Sequence, residues 1–441
     1  MINKARLNRV LILALPIIGG MTSQNILNLV DTAFVGQLGD ASLAAVGLGG
    51  FANFMAIAFI TGLASGVQAI AARRYGEKRF DETAIGLNGG LILAFSIGVP
   101  LSVILIFAAP WLFPLLNNDP AVIEVGVPYW QARLAGMVFV GMNFSFRGYW
   151  NGVNQSGYYM RTLLMMHTLN IFFNYALIFG NFGFPELGAT GAGIGTSLSL
   201  VFGTAYYFYL GMRHARPAGF LHGIPNREQF TSMLRLALPS SIQTFFFAAG
   251  LTAMYWIIGQ VGTRELAAAN VLVNIMLVCI LPAIGLGLAA ASLAGQTLGA
   301  GDPEGAKQWG WDVSLVGFVF LLLLGSPMWL ATSPLLSVFI NDPATIATAS
   351  LPLKMVGWFM AFDGIGLILM NALLGVGAAR TVMKVSIISQ WLFFLPIAWL
   401  VGPYLGGGLI AVWVAQFVYR AIQAGIFATL WHRANWQHIK V

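Results

Sequence analysis

The chain is dominated by a succession of apolar runs, each long enough to cross a lipid bilayer and each separated from the next by a short loop. A membrane-spanning helix needs about 20 apolar residues. Only 8% of the 441 residues are charged, against about 25% in soluble domains. Because the hydrocarbon core holds no water, each run must satisfy its own backbone hydrogen bonds, as a helix does. The sequence therefore predicts an all-α polytopic membrane protein.

Twelve transmembrane helices are predicted from these runs, at 10–35, 46–71, 85–110, 124–148, 159–180, 189–212, 232–259, 268–297, 310–331, 347–373, 382–403 and 407–431. The first run has a basic flank like that of a signal peptide. It is too long for one and lacks a small-residue cleavage site, so we interpret it as a retained first helix. The single cysteine, Cys279, excludes an intrachain disulfide.

Basic residues of the loops predict the orientation of the chain. On the side of the N-terminus lie Lys4, Arg6, Arg9, Arg73, Arg74, Lys78, Arg79, Arg147, Arg161, Arg213, Arg216, Arg227, Arg235, Lys307, Arg380, Lys384, Arg433 and Lys440. The opposite side and its adjacent turns hold only Arg133, Arg264 and Lys354. By the positive-inside rule both termini are cytoplasmic, and we expect the bacterial inner membrane. The formal charge of +7 follows from this topology and does not indicate a nucleic-acid partner.

The chain also repeats itself, and every repeated motif lies at the same separation from its counterpart. "ALP" at 14–16 returns at 237–239, "VGQLGDASLAA" at 35–45 returns as "IGQVGTRELAA" at 258–268, and "NNDPA" at 117–121 returns as "INDPA" at 340–344. Six spans per copy make the two copies parallel, an arrangement found in transporters. We therefore predict two pseudo-symmetric six-helix lobes, 1–212 and 231–441, joined by a cytoplasmic linker at 213–230.

Polar side chains form stripes on two of the predicted helices. Gln24, Asn28 and Asp31 follow i, i+4, i+7 on helix 1, and His167, Asn170 and Asn174 follow i, i+3, i+7 on helix 5. Thr196 on helix 6 and Tyr129 on helix 4 are expected in the same outer layer of the membrane. Such a cluster could bind a proton or a small cation.

These amides and hydroxyls could instead only join helices to one another, as they often do in membrane bundles. That alternative is weaker for Asp31, because a charged group is costly inside a bilayer. For His167 we interpret the side chain as a hydrogen-bonded core residue.

The repeat provides an internal control for the polar cluster. Asp31 corresponds to Met254, and Asn170 and Asn174 correspond to Phe393 and Ile397. The second lobe thus retains the spans without these polar groups, which favours a working role for the cluster. Asp363, on helix 10, is the other acid expected to be buried, and valine occupies position 140 opposite it. The sequence leaves open whether Asp363 marks a helix irregularity or a second ion site.

Several motifs together resemble the multidrug and toxic compound extrusion (MATE) family, and its DinF-type branch most closely. They are "LVDTAFVGQLG", which follows a proline in helix 1, the pattern "NxxxNYALIFGxxGFPxLGATGAGIGT" across helices 5 and 6, and the doubled six-span plan. The resemblance covers residues 6 to about 430. It implies two lobes around a central cavity and export of cationic amphipathic drugs in exchange for H⁺ or Na⁺.

The resemblance also implies roles for individual residues. It matches the ion site of the DinF-type branch to Asp31, Asn170 and Thr196, with Tyr129 as a weaker match. From the polar stripes we add Asn174 to the proton-coupling residues and assign Gln24, Asn28 and Tyr129 to the substrate cavity. The resemblance further implies that helix 1 can bend at Pro16. Many relatives carry a second acid where this chain has Asn174, and the Na⁺-coupled NorM-type branch uses an acid on helix 7 that is absent here. One carboxylate among neutral amides suits a proton.

We therefore expect a proton-coupled drug antiporter that works by alternating access as a monomer in the lipid bilayer, without catalytic residues, cofactor or resident metal. The alternatives are Na⁺ coupling and a flippase for lipid intermediates, although a flippase would require buried cations, which are few here. An intramembrane aspartyl protease using Asp31 and Asp363 is disfavoured, because neither acid lies in a Gly-x-Gly-Asp motif.

Overall fold

The computed structural model describes residues 3–439, and over that range the chain is helical without β-strands. Lys440 lies outside the described residues. Each predicted span corresponds to helical structure. We number these helices α1 (Lys4–Gly36), α2 (Asp40–Gly76), α3 (Ile85–Leu112), α4 (120–152), α5 (Ser156–Phe179), α6 (Gly188–Leu210), α7 (Arg227–Val261), α8 (Thr263–Gly299), α9 (Pro303–Leu330), α10 (Pro343–Gly375), α11 (Ala379–Tyr404) and α12 (Gly408–Arg433).

Ten helices of the described part of the chain are long and apolar enough to cross a membrane. The remaining two, α4 and α6, lie at predicted spans but are less hydrophobic. Helix α4 is interrupted at Gly136, which separates Pro120–Ala135 from Met137–Gly152. Helix α6 opens with the small and polar residues "GATGAGIGTS", which allow neighbouring backbones to approach closely. The all-α membrane fold expected from the sequence is confirmed.

The repeated Asp-Pro motif starts the same helix in each copy. Asp119 accepts a hydrogen bond from the Ala121 amide at the start of α4, and Asp342 accepts one from the Thr345 amide at the start of α10. The proline that follows each aspartate occupies the first turn, where its missing N–H leaves no hydrogen bond unmade. The two copies therefore use one capping device.

Helix α11 is not a continuous α-helix, although its sequence predicts one uninterrupted span. Two π-helical segments, Ile388–Phe394 and Leu400–Tyr404, flank a short α-helical segment at Leu395–Trp399. Such segments change the direction in which side chains project and are frequent at functional sites.

The chain forms two compact units. One ends at Ile18 and resumes at Gln243, and the other runs from Gly19 to Ile242. The boundaries therefore fall inside α1 and α7, so each of these helices contributes its first part to one unit and its second part to the other. The predicted lobes 1–212 and 231–441 divide the chain at loops and stay a prediction.

The predicted linker packs within the unit that runs from Gly19 to Ile242. Phe220 is fully buried, and its ring lies 5.8 Å from that of Phe146, which stacks on Tyr207. The Asn88 side chain of α3 donates hydrogen bonds to the carbonyl oxygens of Gly219 and Gly223. This stretch is therefore held by packing and hydrogen bonds.

Candidate functional site

A chain of hydrogen-bonded side chains joins α1, α5 and α6. Asn174 Nδ2 donates to Asp31 Oδ1 at 2.8 Å and lies 3.0 Å from Asn170 Oδ1, to which it also donates. Asn170 Nδ2 donates to Thr196 Oγ1 at 3.0 Å, and Thr196 in turn donates to the backbone oxygen of Ala192. We call Asp31, Asn174, Asn170 and Thr196 the Asp31 cluster. The structure brings together the four residues that the sequence proposed for ion coupling.

Burial differs across the Asp31 cluster. Asn170 and Asn174 are almost completely buried, whereas Asp31 and Thr196 are partly exposed. The Asp31 carboxylate is thus a partly exposed end of a chain of hydrogen bonds whose middle two residues are buried. A proton or small cation could reach this end without first displacing a buried side chain.

One polar atom of the Asp31 cluster has no partner. Asn174 Oδ1 is buried and accepts no hydrogen bond. It is packed against Gly195, where an added Cβ would lie only 2.2 Å from it. A side chain at position 195 would therefore displace the Asn174 amide, which explains why α6 carries a glycine there. An unpaired acceptor in a buried site is unusual and costly.

No basic residue pairs with Asp31. Among the described residues, Asp31 takes part in no ion pair, and its hydrogen-bond donor is a neutral amide. The positive charge of Arg133 acts on Asp31 through space, while Arg133 Nη1 donates to Tyr129 OH at 3.2 Å. Asp31 is therefore not part of a salt bridge within its own unit.

A second hydrogen-bonded group connects α5 to α1. His167 Nδ1 lies 3.0 Å from Ser23 Oγ, and His167 Nε2 lies 3.1 Å from Gln24 Oε1. Gln24 Nε2 in turn donates a hydrogen bond of 3.2 Å to Asn28 Oδ1. His167 is buried, which fits the core role predicted from the sequence, whereas Gln24 and Asn28 are exposed. Ser23 is not among the residues predicted from the sequence, although it directly precedes Gln24 in the polar part of α1.

Tyr129 is bonded to Arg133 rather than to the Asp31 cluster, since its hydroxyl lies 3.2 Å from the Arg133 Nη1 donor. It is buried in a small apolar cluster with Val35, Ile178 and Ala192. In this conformation a small molecule would reach Gln24 and Asn28 but not Tyr129, because only the first two are exposed.

Pro16 lies inside α1, and the helix continues through it to Gly36. Proline cannot donate the backbone hydrogen bond to the residue four positions earlier, which weakens a helix at that point. The boundary between the two compact units follows shortly after it, between Ile18 and Gly19. The predicted bend site thus lies where α1 passes from one unit to the other.

Asp363, the second acid considered from the sequence, belongs to the other unit and is paired. Arg420 Nε donates to Asp363 Oδ1 at 2.8 Å, and Arg420 Nη2 donates to Asp363 Oδ2 at 2.9 Å. Arg420 is not among the residues predicted from the sequence, although it is a lone arginine in the middle of the apolar run of α12. Intramembrane charges usually pair with one another.

Within residues 3–439, no group of three or more His, Cys, Asp or Glu side chains is placed to hold a metal ion. Oxygen atoms that could bind a small monovalent cation are concentrated in the Asp31 cluster, which offers a carboxylate, two amide oxygens and a hydroxyl.

Comparisons with known proteins agree with this architecture. The MatE family model matches two segments, 16–176 and 239–400, which begin at equivalent positions of the two copies and together cover more than half of the chain. The chain is 28% identical over 423 residues to the probable multidrug resistance protein NorM of Thermotoga maritima, an alignment covering 93% of this chain and 89% of that relative. It is 27% identical over 436 residues to a protein of the same name from Mesorhizobium japonicum, covering 96% and 93%.

The fold is also similar to that of a solved structure described as the outward-facing conformation of a multidrug resistance MATE family transporter of the MOP superfamily. The TM-score is 0.90 at 22% sequence identity, with 98% of this chain and 96% of that chain covered. Two matches to one family model, at the spacing of the internal repeat, extend the agreement to both halves of the sequence. The chain therefore belongs to the MatE family and is a MATE family membrane transporter rather than an enzyme.

Proposed function

We propose that this transporter exports cationic amphipathic compounds in exchange for protons, and that Asp31 carries the coupling proton. The observation that carries the proposal is the surroundings of Asp31: a partly exposed carboxyl group whose hydrogen-bond donor is a neutral amide. Such a carboxylate needs a positive charge from outside the protein, and a proton or a substrate cation can supply it in turn. The names of the NorM relatives support a multidrug substrate range.

Protonation of Asp31 would change its hydrogen bonds as well as its charge. The Asn174 Nδ2 donor would lose a charged acceptor, and hydrogen bonds to charged groups are roughly twice as strong as neutral ones. The new O–H of Asp31 would require an acceptor, and the unpaired Asn174 Oδ1 belongs to the same amide. A rotation of that amide can therefore serve both protonation states, which suits a group that gains and loses a proton in each cycle.

Na⁺ coupling is the alternative for the same cluster. The Asp31 cluster provides oxygen ligands but only one carboxylate, and the Asn170 amide oxygen already accepts from Asn174. A monovalent metal cation would need several of these oxygens at once, including one that Asn174 already occupies, whereas a proton needs only the carboxylate. This difference favours H⁺.

We propose that transport follows alternating access between the two compact units. Helices α1 and α7 each belong to both units, so a relative movement of the units must be absorbed inside these helices. Both contain a proline shortly before the boundary, Pro16 in α1 and Pro239 in α7, at equivalent positions of the two copies. Missing backbone hydrogen bonds make these points easier to bend. Protonation of Asp31 would then bias α1 through its bond to α5.

Further features of the proposal follow from the loop charges and the motifs. Both termini are placed in the cytoplasm by the positive-inside rule, and bacterial relatives indicate the inner membrane. The location of the acid on α1, with Met254 and not an acid at the equivalent position of the second copy, supports assignment to the DinF-type branch. We propose that exposed Gln24 and Asn28 contact the substrate.

The test uses inverted membrane vesicles with a respiration-driven pH gradient and no Na⁺. A lipophilic cationic drug is added to vesicles containing the wild type, Asp31→Asn, or Asp40→Asn as a control. Asp40 lies in the first turn of α2 outside the Asp31 cluster. We expect the wild type and the control to dissipate the gradient and Asp31→Asn to leave it intact. If the wild type leaves the pH gradient untouched but dissipates a Na⁺ gradient, the coupling ion is Na⁺ and the proposal of H⁺ coupling is wrong.

A further inference from the structure

The buried pair of Asp363 and Arg420 connects α10 with α12. Both oxygens of Asp363 accept hydrogen bonds from one guanidinium, at 2.8 and 2.9 Å. The Asp363 side chain is 4% exposed and that of Arg420 is 13% exposed. Because the planar guanidinium matches the two carboxylate oxygens, this geometry is the strongest that a side-chain ion pair can adopt.

The remaining donors of the guanidinium are also engaged. Arg420 Nη1 donates to Gln423 Oε1 at 3.0 Å, and Gln423 Nε2 donates to Ser389 Oγ at 2.7 Å. Ser389 belongs to the first π-helical segment of α11 and donates to the Val385 oxygen at 2.6 Å. The pair thus belongs to a network that crosses three helices and ends on a backbone carbonyl.

The acids of the two compact units, Asp31 and Asp363, therefore have opposite kinds of partner. Asp31 has a neutral amide as its donor, whereas Asp363 has a permanent cation. Arginine does not lose its proton at any physiological pH. The repeat does not account for this difference, since Val140 and Ser197 stand at the positions of the first copy that correspond to Asp363 and Arg420.

We propose that Arg420 is a tethered cation that occupies the cation-binding position beside Asp363, so that this unit exchanges neither H⁺ nor Na⁺ during transport. Arg420 prevents other cations from binding, because both Asp363 oxygens accept hydrogen bonds from a covalently attached positive charge. This inference deepens the proposed function, because it confines exchangeable cations to the Asp31 cluster. The other ionisable group in electrostatic contact with the pair is Tyr419, which stays neutral near pH 7.

Asp363 would need another positive charge if the Arg420 guanidinium were removed. An uncompensated buried charge is strongly unfavourable. Without the guanidinium, the Asp363 carboxylate would therefore be stabilised by binding a Na⁺ ion or a proton. Arg420→Gln should therefore create a Na⁺- or H⁺-binding site where the wild type has none. Arg420→Lys keeps the charge and should create no site.

The experiment measures cation binding in an Asp31→Asn background, so that the Asp31 cluster cannot contribute. Cys279 is 1% exposed and is the only cysteine, so its rate of labelling by a thiol reagent reports unfolding of the purified full chain. Labelling is compared in NaCl and in choline chloride of equal ionic strength, and at two pH values, for Asp31→Asn alone and with Arg420→Gln or Arg420→Lys added. A fourth variant combines Asp31→Asn, Asp363→Asn and Arg420→Gln.

We expect Na⁺ or acid to slow labelling only in the variant with Asp31→Asn and Arg420→Gln, by about tenfold when the cation is present at ten times its Kd. A response in Asp31→Asn alone that disappears in the fourth variant would overturn the proposal, as would a folded Arg420→Gln variant without any response. If Arg420→Gln does not accumulate, the fourth variant decides, because the proposal requires it to match Asp31→Asn in every condition. Failure of proton coupling at Asp31 would be seen separately, in the vesicle experiment.

Discussion

The side-chain amide of Asn174 donates a hydrogen bond of 2.8 Å to Asp31 Oδ1, while its own oxygen accepts none. One amide thus provides the charged carboxylate with a donor and holds a vacant acceptor next to it. Such an arrangement stabilises the carboxylate through a single neutral hydrogen bond and leaves its charge uncompensated. The chemistry at this position should therefore respond sharply to any change in the number of carboxylates.

A second carboxylate at position 174 should convert the cation preference. Asn174→Asp would place two acids where the wild type has one, and two carboxylates hold a monovalent metal cation better than one does. We expect drug efflux by Asn174→Asp to become stimulated several-fold by Na⁺, measured in cells with choline as the replacement cation. The matched control, Asp31→Asn with Asn174→Asp, keeps one carboxylate and should show no stimulation. Equal stimulation in both variants would contradict the argument.

Gly195 should tolerate no side chain. Gly195→Ala places a Cβ 2.2 Å from Asn174 Oδ1, so the amide must move away from its position beside Asp31. Overpacking of this kind costs about 1–3 kcal/mol of folding stability, and coupled transport should be lost as well. Gly157→Ala on α5 is the control, because nothing lies within 4 Å of its added Cβ. Normal drug-driven proton movement by Gly195→Ala would show that the Asn174 position is not required.

The pair of Asp363 and Arg420 should show strong energetic coupling. Removing one partner leaves the other charge buried and unpaired, which costs about 3–5 kcal/mol, whereas replacing both by neutral groups is often close to neutral. We expect Arg420→Gln to be far less stable in choline chloride than Asp363→Asn with Arg420→Gln. Cys279 labelling on heating provides the measurement. Additive effects of the two single substitutions would contradict a direct pair.

The helix start at Asp342 should respond to acid. Thr345 donates through both its amide and its hydroxyl to Asp342 Oδ2, and these bonds hold the pKa of Asp342 below its ordinary value. A carboxyl group with a lowered pKa in the folded state stabilises the protein above its unfolded pKa of about 3.9 and loses that contribution as the pH falls. Asp342→Asn should therefore remove part of the acid-induced loss of stability between about pH 5 and 3.

The measurement for Asp342 is far-UV circular dichroism on heating, with the wild type and Asp342→Asn compared at each pH. Ser337→Ala serves as a control, because Ser337 bonds only the Pro334 carbonyl oxygen and carries no titrating group. A stability difference between wild type and Asp342→Asn that is the same at every pH would contradict an ionised cap.

Much of the candidate site could be predicted from the sequence because it depends on helix periodicity. Residues Asn170 and Asn174 lie one turn apart on α5, so their common face follows from spacing alone. That this face meets Asp31 on α1 was an inference from depth in the membrane. The pairing of Asp363 with Arg420 could not be obtained in this way, since the two residues lie 57 positions apart on helices whose relative rotation the sequence does not specify.

The sequence by itself determined the number and approximate position of the membrane helices, the repeat and the presence of Asp31 and Asp363 within apolar spans. It could do so because hydrophobic length and the pairing of backbone groups within one helix are local properties. Tertiary structure decided which acid is neutralised, where Tyr129 is buried, and that α1 and α7 each divide between two compact units. These outcomes depend on contacts between distant segments. The composition of a single helix says little about which distant residues it contacts. Those contacts are set by how whole helices pack against one another.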